Sequence, residues 1–238
     1  IYASSTRSYC HIMLSAPEVL RPYIIPAVPE SLRVHIIEGE NGMTVRSLIF
    51  TAAAFSLIAA SVPVGAATLH VPSEYPDIQA AVNAAGEGDI VMVAGGTYTG
   101  ASNREIEFTG ANIVVTSVPG PELTIIDCEG AGRAFAIYKG EDSTSVIRGF
   151  TIINGSSGNG GGLYISGASP VIENCVISNC TASMNGGGVY YGYASAQGYI
   201  RYCAFYGDSS QYRGGGIMLD QGYGDFMPVE ISNCVFYD

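Results

Sequence analysis

Carboxylates and tyrosines are the residues here whose types suggest chemistry. Asp208, Asp220, Asp225 and Glu230 fall close together late in the chain, and Asp127 ends an earlier apolar run. Paired carboxylates about 5–10 Å apart can hydrolyse a glycosidic bond, and a cluster of them can hold Ca2+. Asp208, Asp220 and Asp225 are therefore the catalytic candidates, and Ca2+ is the one cofactor to consider. Weighing against them, loop acids in a chain of net charge −11 are mostly solvated. His70 is the last histidine. No Ser–His–Asp or Cys–His arrangement, and no His-rich metal site, can be assembled beyond it. Tyrosines crowd the later part, among them Tyr164, Tyr190, Tyr191, Tyr193, Tyr199 and Tyr202. An apolar ring with a polar tip suits a sugar face or a protein partner. Tyr164, Tyr190 and Tyr193 are the binding candidates, and the competing reading is an aromatic ladder that merely covers a surface.

What positions these residues is a repeat. Gly160-Gly161-Gly162, Gly186-Gly187-Gly188 and Gly214-Gly215-Gly216 each run into an apolar strand-like phrase, at intervals of 26 and 28 residues. That period signals a stacked solenoid. A second phrase precedes each triplet, beginning at Ile147, Ile172 and Ile200, and a fourth copy begins at Ile231. Ile147 and Ile152 are five apart, the wrong parity for one flat strand facing a core. A bend at Gly149, Asn174, Tyr202 and Asn233 repairs it, and glycine and asparagine suit that bend. Tyr202 does not. This register turns Ile147, Phe150 and Ile152 and their equivalents inward and leaves Arg148, Glu173 and Arg201 outside. Coils about 4.8 Å apart then place those three as an alternating-charge ladder. The triplets read as tight turns rather than phosphate loops, because no Lys-Ser/Thr and no helix comes after them.

These repeats resemble those of secreted right-handed parallel β-helix proteins of the pectin-lyase-like superfamily. Phe150-Thr151-Ile152-Ile153-Asn154 with the Gly160 triplet also resembles the repeats of chlamydial polymorphic outer-membrane proteins. Tyr75-Pro76-Asp77-Ile78-Gln79-Ala80-Ala81-Val82, Gly88-Asp89-Ile90-Val91-Met92-Val93 and Gly96-Thr97-Tyr98 are similar to the opening of many bacterial β-helix proteins. The resemblance covers Leu69 onward. It implies the fold more than the function, since this architecture hosts lyases, hydrolases, esterases, adhesins and inert shafts. The Asp clusters and nearby Arg of pectate lyases are not matched, nor are the signatures of polygalacturonases or pectin methylesterases.

Upstream, Met43, Arg46, the apolar run Leu48–Ala60 and the small residues Val64-Gly65-Ala66-Ala67 compose a secretory signal peptide. Residues 1–42 are expected to be translated upstream sequence and disordered, 43–67 the leader, and 68–238 the β-helix, with no transmembrane helix after cleavage. The four cations and four acids of residues 1–66 cancel, so the whole −11 belongs to residues 67–238. An acidic surface argues against nucleic acid and equally against bare polyanions. Asp77 can cap a helix with the apolar face Ile78, Ala81, Val82 and Ala85, which would plug the first coil. Cys175, Cys203 and Cys234 share one repeat position with Phe150. They read either as inter-coil disulfides or, as we favour, as an inward stack of small apolar thiols.

The expectation is an all-β, right-handed parallel β-helix solenoid with a short N-terminal capping helix. It has about five coils and part of a sixth, and would continue beyond Asp238. Its function is that of a secreted or cell-surface scaffold contacting a polysaccharide or another surface. The alternative is a polysaccharide lyase or glycoside hydrolase with its active site partly beyond the fragment.

Overall fold

The computed structural model describes residues 65–194, 197–220 and 229–237. The expectations for residues 1–42, for the leader up to residue 64 and for Asp225 lie outside these residues. What is described is a solenoid. One parallel sheet stacks seven strands: Thr68–Val71, Ile90–Val93, Val114–Ser117, Val146–Arg148, Val171–Glu173, Gly198–Arg201 and Val229–Ser232. A second stacks Gly96–Tyr98, Thr124–Asp127, Thr151–Ile153, Val176–Ser178, Ala204–Tyr206 and Val235–Tyr237. The third is Ile106–Glu107, Phe135–Ile137, Leu163–Ser166, Val189–Gly192 and Ile217–Asp220. A short corner sheet, Ser156–Ser157, Thr181–Ala182 and Ser209–Ser210, stands between the second and third in chain order.

The bend between the first and second sheets lies where parity demanded it. Gly149, Asn174, Tyr202 and Asn233 all have positive φ, from 50° to 82°. Turning the chain there lets Ile147, Phe150 and Ile152 face the same interior, and all three are fully buried. Ile172, Cys175 and Ile177 repeat the pattern one coil on, and Ile200, Cys203 and Phe205 the next. Outside, Arg148, Glu173 and Arg201 are consecutive rungs. Glu173 accepts from Arg148 at 3.2 Å and from Arg201 at 2.8 Å.

The glycine triplets do more than turn. Gly160, Gly186 and Gly214 hold φ of 64° to 66°, a left-handed turn. The middle residues lie where coils touch backbone to backbone: a methyl at Gly161 would meet the Thr181 carbonyl oxygen at 2.6 Å. The triplets also pair with one another, Gly161 N–H donating to Gly186 O at 3.1 Å and Gly187 N–H to Gly214 O at 2.9 Å.

The helix Ile78–Ala84 forms as its pattern requires. Asp77 accepts from Ala80 N–H at 2.8 Å, satisfying one of the free donors of the first turn. Ile78, Ala81 and Val82 are fully buried against the first coil. Gln79 completes the seal. Its side-chain amide donates to the Glu107 carbonyl at 3.1 Å and accepts from the Glu107 N–H at 2.8 Å. The edge strand Ile106–Glu107 thereby finds a partner where a sheet edge would otherwise be open.

Candidate functional site

A cleft of about 390 Å³ opens on the outer face of the third sheet. It exists because one ladder position changes size. Glu107, Ala136, Tyr164, Tyr190 and Met218 are successive rungs of that sheet, with side chains alternating away from the buried Phe135, Leu163 and Val189. Ala136 is the small member. Glu105, Glu107, Arg133, Tyr138 and Tyr164 line the space beside it.

The walls are held by a stack running across the coils. Tyr164 and Tyr190 lie parallel, centroids 5.4 Å apart, and the Arg133 guanidinium sits 5.0 Å from the Tyr164 centroid. Tyr164 thus contributes its edge and hydroxyl to the cleft rather than a free ring face. Three of the five N–H donors of the Arg133 side chain are engaged. Its Nε meets both oxygens of Glu105 at 3.2 and 3.1 Å, one terminal nitrogen donates to Asn159 O at 2.7 Å, and the other donates to Ser157 Oγ. Beside the cleft, Lys139 reaches Glu107 at 3.5 Å and lies 5.5 Å from the Tyr138 centroid. The neighbouring Glu107 carboxylate raises the Tyr138 pKa above the ordinary phenol value. Tyr138 is 41 % exposed, which makes it the solvent-facing aromatic of the cleft.

Of the sequence-predicted binding residues, Tyr164 lines the cleft. Tyr190 lies beneath it, 5 % exposed, with its hydroxyl donating to Asp220 at 2.7 Å. Burial and that bond both raise its pKa. Tyr193 is exposed just past the strand Val189–Gly192, with φ of 54°. The two candidate acids among the described residues, Asp208 and Asp220, do not converge. Asp220 ends a strand of the third sheet, whereas Asp208 precedes the corner strand Ser209–Ser210. Asp208 turns inward, to the position of Cys180 one coil earlier, and accepts from the Cys180 N–H at 2.8 Å. Its other oxygen is buried without a hydrogen-bond partner, and desolvation raises its pKa to about 7.

Sequence reasoning does not single out Glu105, Glu107, Arg133 and Tyr138 as site residues. Aligning Phe135-Ala136-Ile137 with Leu163-Tyr164-Ile165 would have set Ala136 beside Tyr164 and exposed the gap. A second depression, about 530 Å³, is lined by polar residues including Asp127, Glu129, Asn154 and Asn179. Asn154 donates to Asp127 at 3.0 Å and Arg104 pairs with Glu129 at 2.5 Å. Among the described residues no group of three or more His, Cys, Asp or Glu side chains could hold a metal ion, and no helix is long and apolar enough to cross a membrane.

The inward cysteines are free thiols. The neighbouring Cys175 thiol and burial raise the Cys203 pKa far above the ordinary thiol range, and its Sγ lies 3.3 Å from the Arg201 carbonyl oxygen. Burial raises Cys128 to about 12. Such thiols stay protonated and behave as small core residues.

Residues 89–238 match the family model described as the right handed beta helix region. No curated protein and no solved structure matches the chain. The match agrees with the stacked parallel sheets and with the coil-to-coil register of every strand just described. The chain belongs to the right-handed β-helix family.

Proposed function

We propose that this protein is a secreted or cell-surface β-helix scaffold that binds carbohydrate in the cleft between Tyr138 and Tyr164. The observation that carries this reading is the combination at one place of an exposed aromatic ring and carboxylates with spare acceptor sites. Tyr138 offers ring surface to the apolar C–H face of a sugar, and Glu105 and Glu107 accept from its hydroxyls. Such a mixture of apolar lining with a few placed polar groups is typical of small-molecule sites. The solenoid supplies rigidity: Glu107, Ala136 and Tyr164 sit on strands whose backbones are bonded to the coils beside them. A preorganised site loses less entropy on binding than a loop would.

The test is retention on insoluble neutral polysaccharides, measured by depletion from solution, together with assay of released reducing ends. Retention without turnover is expected, and Tyr138→Ala is expected to weaken it by about tenfold or more, the cost of losing one ring contact. Failure of the wild-type protein to be retained on any polysaccharide would contradict the proposal.

A further inference from the structure

The donor and acceptor inventory of the cleft points further, to the charge class of its ligand. We infer that the cleft takes a neutral, hydroxyl-rich glycan and rejects a polyuronate. This rests on the carbohydrate reading above. Arg133 lines the cleft, yet its Nε and both terminal nitrogens are committed to Glu105, Asn159 and Ser157, and Tyr164 covers its face. Its charge is already countered by Glu105, so it offers a sugar carboxylate less than an unpaired guanidinium would. Lys139, the other cation beside the cleft, is paired with Glu107 at 3.5 Å.

Acceptors, by contrast, remain. A carboxylate offers about four lone-pair sites, and the side chains of Glu105 and Glu107 are 47 % and 46 % exposed. A hydroxyl-bearing sugar can donate to them. A uronate carboxylate only accepts, so it would bring acceptor against acceptor and like charge against like charge, with no free guanidinium in return. The acidity of the chain as a whole, net −11, adds an unfavourable long-range field for a polyanion.

Calorimetric titration of the whole protein with cellohexaose and with hexagalacturonate, at the same ionic strength, tests this. The expected result is saturable binding of cellohexaose and at least about tenfold weaker binding of hexagalacturonate, a gap of roughly 1.4 kcal/mol. Glu107→Gln releases Lys139 and removes one negative charge, so that variant is expected to narrow the gap. Hexagalacturonate binding as tightly as cellohexaose, and losing affinity in Tyr138→Ala, would overturn the neutral-glycan inference while leaving the carbohydrate site standing. Binding of neither oligosaccharide would overturn both. An unchanged gap in Glu107→Gln would overturn the assignment of selectivity to the Glu107–Lys139 pair.

Discussion

Tyr202 occupies a left-handed backbone position that asparagine or glycine fills in the neighbouring coils, and its side chain is 61 % exposed. An ordinary L residue there carries a steric cost that asparagine partly escapes. Tyr202→Asn is therefore expected to stabilise the protein by about 0.5–1 kcal/mol, read as a higher urea midpoint. Asn174→Ala, the reverse change one coil earlier, should lower it. Asp208 gives a pH-dependent counterpart. Its folded pKa of about 7 lies above the ordinary carboxylate value because burial disfavours the charged form. The native state then binds more protons than the unfolded chain, so stability is greatest in acid and falls as pH rises from about 4 through 7. Asp208→Asn removes that loss. At pH 8 it should be more stable than wild type by about 2 kcal/mol, after allowance for partial solvent contact, and near parity at pH 4. Denaturant melts at the two pH values check it, and an equal effect at both would contradict the assignment. Neither the inward turn of Asp208 nor its unpaired oxygen was legible in the sequence. An aspartate after a glycine reads as a solvated loop acid, and only the coil register shows that it replaces Cys180.

The helix Ile78–Ala84 and the first coil show what an element can reveal in advance. Its cap at Asp77 and its apolar spacing were readable because both are local. The sealing role of Gln79 was not, since it depends on Glu107 lying 28 residues away. Gln79→Ala should expose the N–H and C=O of Glu107 and cost about 1–2 kcal/mol, with faster amide exchange at the strand Ile106–Glu107. Asp77→Ala should cost about 1 kcal/mol through the lost cap. The glycine triplets were legible as turns from composition alone. Their second property, backbone packed on backbone between coils, comes only from the stacking that sets Gly161 against Thr181. The corner strands such as Thr181–Ala182 escape a sequence reading for a similar reason. Two residues carry no periodicity, and their pairing is dictated by the longer strands on either side.

At the scale of the whole molecule, the repeat made the architecture readable and hid the site. Near-identical coils fix a register, and the register predicted both the inward stack from Ile147 to Phe205 and the Arg148–Glu173–Arg201 ladder. A site in such a protein is a departure from the repeat. Here the departure is Ala136, a small residue in a ladder otherwise built from Glu107, Tyr164, Tyr190 and Met218, in a coil without the glycine triplet. Tyr138, on the rim of that gap, is the ring proposed to meet a sugar. The chain contains no tryptophan, so Tyr138→Trp places a single reporter there. Its fluorescence, titrated with cellohexaose, is the most direct measurement. A saturable blue shift is expected as the ring leaves water for the sugar face, with affinity equal to or tighter than wild type. An emission spectrum unmoved by saturating oligosaccharide, in a variant whose circular dichroism matches wild type, would contradict the assignment of Tyr138 as the sugar contact.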